Sequence, residues 1–173
     1  MSTSSFYAVA LAICVSQRAF AGPALGEPVQ SAEIARWDIS IPPSGEGLPK
    51  GGGTARQGAP IYQAKCQACH GEKGAGRLAD PLAGGIGTLA TRAPVRTVGS
   101  YWPYATTLFD YVRRAMPLAN PLSLTDDEVY AVSAYVLYLN GIIGEDVAMN
   151  AQTLPRVKMP NREGFIGDWL SPR

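Results

Sequence analysis

One histidine, His70, and three cysteines, Cys14, Cys66 and Cys69, are all that the 173 residues offer of those two types. A structural zinc site takes four Cys or His ligands, usually as two pairs, and a second pair is missing. A thioredoxin-like redox pair belongs in an alternating strand and helix pattern, and the flanking sequence has no such alternation. Long apolar runs are lacking as well. The run at residues 6 to 15 falls short of the roughly 20 residues a membrane helix needs, and no later segment is long and apolar enough. Charge of one sign is also missing: 15 basic and 14 acidic side chains leave a formal net charge of +1. That balance argues against nucleic-acid binding through bulk charge.

What is present is compact. Cys66-Gln67-Ala68-Cys69-His70 is the attachment signal for c-type haem. Two intervening residues bring both sulfurs to neighbouring vinyl groups on one helical turn, and the next side chain swings under the ring toward the iron. The expected cofactor is one covalent haem c, and the function that follows is electron transfer. Because His70 is the only histidine, a second histidine ligand within the chain is excluded by counting. The distal position falls to a methionine, to a weaker ligand such as Lys or Tyr, or stays open. Met116 is preferred over Met149 and Met159, because it precedes Pro117 in a break between two expected helices, where the chain is free to aim its sulfur. Met159 also precedes a proline, but lies beyond the last helix. A His/Met pair raises the potential and leaves no open site for a substrate.

At the amino terminus, Phe6 to Val15 is apolar and Ala19-Phe20-Ala21 offers a small-x-small cleavage site, so a signal peptide over residues 1–21 is expected, cut after Ala21. The preceding Met-Ser-Thr-Ser-Ser carries no basic residue, which leaves a misplaced start codon or an uncleaved anchor as alternatives. Cleavage removes Cys14 and leaves about 150 residues, enough for one domain. Export agrees with haem c, which is attached outside the bacterial cytoplasm, and the expected compartment is the periplasm.

Along the rest of the chain, residues 22–53 read as an arm rich in Gly and Pro, with a turn around Ala32 to Trp37, and with Trp37 and Ile41 as the residues to pin it. A cytochrome domain is expected over 54–144. Its first helix runs from Thr54 to Ala68, burying Ile61 and Tyr62, with Gly58 as a point of close approach. Residues 71–100 hold seven glycines and two prolines and read as loop around a flat cofactor. Tyr104 to Ala115 reads as a helix with Leu108, Tyr111 and Val112 on one face. Asp126 to Asn140 is a third helix, opened by a Thr125/Glu128 capping box, with Val129, Val132, Val136 and Leu139 recurring and Asn140-Gly141 closing it. The first and last helices should pair. Residues 145–173 have little periodicity and read as a tail laid over the surface.

Trp102 and Tyr104 are cofactor-environment candidates, since an indole N–H or a phenol O–H can satisfy a buried propionate; Arg92 or Arg96 could do so with charge. Residues 50–114 carry nine basic and three acidic groups, which suggests a positive surface for an acidic partner, with Arg113 and Arg114 as leading candidates.

Several segments together resemble a known family. The haem motif, Asp80-Pro81-Leu82, the run from Tyr101 through Pro117, Leu124 to Ala131, Ala32 to Ile39 and Met159 to Phe165 are similar to the class I cytochrome subunits of periplasmic molybdenum sulfite dehydrogenases, most of all those of the Sox sulfur dehydrogenase type. The resemblance implies an all-α, single-haem class I cytochrome c fold with His70 and Met116 as axial ligands. It also implies a carbonyl at Pro81 that orients the His70 ring, a molybdopterin-containing catalytic partner, and a downstream cytochrome or oxidase as acceptor. Some members carry a second haem domain, whereas this chain has one haem motif. The subunit would not be catalytic alone. A free soluble carrier serving other periplasmic dehydrogenases or an oxidase is the alternative, and a haem enzyme or gas sensor would need an open iron site.

Overall fold

The computed structural model describes residues 26–166, in two units that divide between Asp38 and Ile39. The expected signal peptide and Cys14 lie outside the described residues. In the first unit, the turn anticipated around Ala32 to Trp37 is a helix, α1 (Ser31–Trp37), with Glu33 in its first turn and Arg36 in its last, each complementing the helix dipole. No residue of α1 is buried, and the Trp37 indole is exposed.

The second unit holds β1 (Gly52–Gly53), α2 (Ala55–Lys65), the short α3 (Gln67–His70), α4 (Ala105–Ala115), α5 (Asp126–Leu139) and β2 (Met149–Asn150), with 3-10 turns at Glu72–Gly74 and Leu154–Arg156. It is a helical domain with one small antiparallel ribbon, in which Gly52 pairs with Asn150 and Gly53 with Met149. Both long terminal helices open on capping boxes: Thr125 with Glu128, as expected, and Thr54 with Gln57. Each box satisfies two N–H groups that a helix start leaves orphaned.

The expected pairing of the first and last helices is present, and glycine makes it possible. A side chain at Gly58 would overlap the Ala131 carbonyl on α5. Tyr62, one turn further along, is 1% exposed and meets the Tyr135 ring at 5.2 Å between centroids. On α4 the buried face is Ala105, Leu108, Phe109 and Val112. Tyr111, expected on it, is exposed and leaves its place to Phe109, which stacks on Tyr130 at 4.4 Å. Helix α5 is buried nearly all round, with Leu137 rather than Leu139 completing the core side.

The segments flanking the helices contribute to the core. Ile41 is buried and its N–H donates to Asp110 Oδ1 at 2.9 Å; Tyr130 Oη donates to the Pro49 carbonyl at 2.9 Å. Gly51 to Gly53, at the end of the Gly- and Pro-rich arm, lie so near α5 that a side chain at Gly53 would meet Ala131 Cα at 2.7 Å. The stretch that read as a surface tail buries Met149, Leu154, Val157 and Met159. Its hydrophobic residues are too irregularly spaced to signal a helix, yet each belongs to the hydrophobic core.

Substituting Gly58→Ala should cost roughly 1–3 kcal/mol by overpacking, read as a lower denaturation midpoint at unchanged helix content. The Lys65 Nζ to Glu128 Oε1 contact of 2.8 Å ties α2 to α5. Its hydrogen bond, with that from the Thr125 N–H, holds the Glu128 carboxyl below its ordinary range. A depressed carboxylate pKa stabilises the fold above the unfolded value and loses that contribution as pH falls through the folded value. The stability difference between the wild type and Glu128→Gln should therefore shrink on acidification, which denaturant titrations at neutral and low pH will measure.

Candidate haem attachment site

The expected helix from Thr54 to Ala68 is split at Cys66, which caps α2 with φ −124° and starts α3. Cys66 N–H still donates to Tyr62 O at 2.8 Å, while Cys69 N–H and His70 N–H both donate to Cys66 O at 3.1 and 3.0 Å. The pentapeptide is thus one tight turn mounted on the end of α2. Tyr62 secures it from below by donating from Oη to Gly71 O at 3.0 Å. Burial pushes the Tyr62 phenol up to about 12, so it stays a donor at any physiological pH. Gly71 itself has φ +76° and packs against the Gly76 carbonyl, leaving no room for a side chain.

The following loop folds back over this turn. Gly76 N–H donates to His70 O, and the N–H groups of Leu78 and Ala79 share Cys69 O at 3.0 Å. These bonds bring the Asp80 carbonyl to 3.3 Å from His70 Nδ1. The ring therefore faces the carbonyl of the residue preceding Pro81, rather than that of Pro81 itself. With a carbonyl as partner, Nδ1 must carry the proton, which leaves Nε2 as the free lone pair.

Cys66 is half-buried and Cys69 is exposed. Burial pushes the Cys66 thiol up to about 11, the reverse of the depression that makes a reactive redox pair. Among the described residues no group of three or more His, Cys, Asp or Glu side chains is placed to hold a metal ion.

A flat apolar cofactor fits the surroundings. Met116, the C-cap of α4, is half-buried and packs against the same core as Cys66, Leu82 and Trp102. Leu78, Ile86, Val95, Leu118 and Leu122, on the loops after His70 and after Met116, expose large apolar side chains. Met159, the alternative ligand, is 3% exposed within the protein core, and Met149 is 2% exposed.

Trp102 packs edge-on against Tyr111, 5.8 Å between centroids. Tyr104 lies under the Arg162 guanidinium at 4.5 Å, and Arg96 stands over Tyr101 at 5.4 Å. Arg92 is exposed. Arg113 and Arg114, expected to face a partner, are instead engaged within the domain: Arg113 Nε pairs with Asp126 Oδ1 at 3.2 Å, and Arg114 pairs with Asp110. The sequence carried a signal for the second pair in the i,i+4 spacing of Asp110 and Arg114. Asp110 was overlooked because it sits on the apolar face, where its carboxylate also holds Ile41 N–H.

Residues 53–136 match the family described as cytochrome c oxidase, cbb3-type, subunit III. Over 85% of this chain and 73% of the other, the structure is similar to a chain in the crystal structure of the sulfane dehydrogenase SoxCD from Paracoccus pantotrophus, with a TM-score of 0.79 and 38% sequence identity. No curated protein matches the chain.

Replacing Met116 by Ala in the haem-loaded protein should abolish the sulfur-to-iron band at the red end of the ferric spectrum and lower the potential. Met159→Ala should instead reduce thermal stability, by about 2–5 kcal/mol for a buried methionine, and leave the band in place. The reverse outcome would assign the ligand to Met159.

Proposed function

Because the chain belongs to the Sox-type class I cytochromes c, an electron-transfer family, we propose that it is the electron-accepting subunit of a molybdenum-dependent sulfite or sulfur dehydrogenase of the periplasm. The carrying observation is the Cys66 to His70 turn, with His70 Nδ1 committed to the Asp80 carbonyl and Nε2 left free, in a chain 38% identical to one from the sulfane dehydrogenase SoxCD. Haem c supplies a one-electron couple at its iron. Cys66 and Cys69 would hold it by thioethers, His70 and Met116 would bind its iron, and the apolar side chains of the two flanking loops would cover it. With both iron ligands supplied by this chain, no position would be left for a substrate, and substrate chemistry would belong to the partner. Among the described residues no helix is long and apolar enough to cross a membrane.

The partner should co-purify. A tagged chain purified from the cells that produce it should carry molybdenum at a stable ratio and be reduced on addition of sulfite or a sulfane-sulfur compound. A chain that elutes alone, and is reduced only in collisions with several donors, is a free carrier.

Docking should depend on charge that remains free. With Arg113 and Arg114 paired internally, the exposed cations near the site are Lys73, Arg77, Arg92 and Arg96, all on the loops after His70. Reduction by the partner should slow as salt is raised, since exposed charges are screened over about 10 Å at 0.1 M. Arg77→Glu and Arg92→Glu should slow association with the spectrum unchanged. Arg114→Glu should destabilise the fold, because it sets a second carboxylate beside buried Asp110. A rate indifferent to salt and to both loop substitutions would mean that apolar contacts hold the partner.

A further inference from the structure

The carbonyl that faces His70 belongs to a loop held by the far end of α5. Asn140 caps that helix, is 7% exposed, and commits its whole carboxamide to backbone groups. Nδ2 donates to Leu82 O at 3.0 Å and to Val136 O at 2.9 Å, and Oδ1 accepts from Gly84 N–H at 3.1 Å. Two carbonyls on one side and an N–H on the other permit only one orientation of the amide. The same loop is gripped elsewhere: Leu82 N–H and Ala83 N–H donate to Gly74 O at 2.9 and 3.1 Å, and Thr97 Oγ1 donates to Gly84 O at 2.6 Å. Gly99 lies against the Asn140 carboxamide so closely that a methyl group there would overlap Oδ1.

We propose that Asn140 is a positioning residue for the His70 imidazole: by fixing residues 82 to 84 it fixes the Asp80 carbonyl against Nδ1 and so sets how strongly the ring donates to the iron. The inference rests on the reading of His70 as a haem ligand. Its physical basis is the outer hydrogen bond. A carbonyl accepting the Nδ1 proton raises the electron density at Nε2, which favours the ferric state and lowers the potential. Asp80 makes that bond through its main chain, so the bond is only as well placed as the loop that carries it. Asn140 joins this loop to the most deeply buried helix of the domain, whose position is set by packing.

The test uses the haem-loaded protein and the variant Asn140→Leu, which keeps shape but can neither donate nor accept. Solvent exchange of the His70 Nδ1 proton, followed by NMR in the ferrous state, should speed up by roughly five- to thirty-fold, the change expected when one or two buried hydrogen bonds no longer resist opening. The reduction potential should rise. Val129→Ala, a core deletion at the other end of α5, should lower the melting temperature while leaving exchange and potential at wild-type values. If Asn140→Leu lowers stability but leaves both readouts unchanged, Asn140 is merely structural and the proposal fails. Should Asn140→Leu not fold, Gly99→Ala, which pushes the carboxamide aside while retaining its chemistry, should move both readouts in the same directions; no movement there overturns the proposal equally. A wild-type protein lacking the visible spectrum of covalent haem would overturn the ligand reading beneath it, before any variant is compared.

Discussion

The close contact of α2 with α5 is the constraint on which the rest of the domain depends. Gly58 and Gly53 both lie against Ala131, where any side chain would collide with α5. The ring of Tyr62 then packs on Tyr135, and Lys65 reaches Glu128. This fixes the end of α2, and the Cys66 to His70 turn is the continuation of that end. The other end of α5 holds the 82 to 84 loop through Asn140. One packed helix thus sets two things at once: where the cysteines stand, and where the carbonyl that orients His70 stands.

That arrangement explains how a segment with little secondary structure can place a site. Residues 71–100 have few regular backbone bonds of their own, yet they return repeatedly to carbonyls of the turn and are held by the Asn140 carboxamide at the end of α5. Thr97 and Ser100 bond to each other and to the loop carbonyls of Gly84 and Val95. A loop tied at so many points keeps its geometry without a core of its own, while its apolar side chains remain available to a cofactor. The charge pattern follows the same division. Arg56, Lys65 and Arg113 pair with carboxylates on neighbouring elements and Arg114 with Asp110 on its own helix, whereas the exposed loop cations form no salt bridge among the described residues. Positive charge by sequence position is therefore shared between internal clamps and free surface.

The helices and the attachment turn were legible in the sequence because their signals are local: a capping box, a repeat of valines, and two cysteines at fixed spacing before a histidine. The pairing of the terminal helices was legible through Gly58, since a small residue on a buried face marks close approach. The contributions of Leu154 and Met159 to the core were not, because isolated apolar residues in aperiodic segments carry no record of what they pack against. The Asp80 carbonyl was missed by one residue for a related reason. Main-chain acceptors have no sequence identity, and only the fold of the loop decides which of two adjacent carbonyls faces a ring. Asn140 was legible as a helix stop and not as a clamp, since its partners lie more than 50 residues away.

The central claim is that Cys66 and Cys69 carry haem c. Peptide mass mapping of the exported protein tests it most directly. The account predicts a polypeptide beginning at Gly22, with one haem-sized increment confined to the peptide that contains Cys66, Cys69 and His70. A peptide of unmodified mass, or one two hydrogens lighter through a Cys66–Cys69 disulfide, would contradict it.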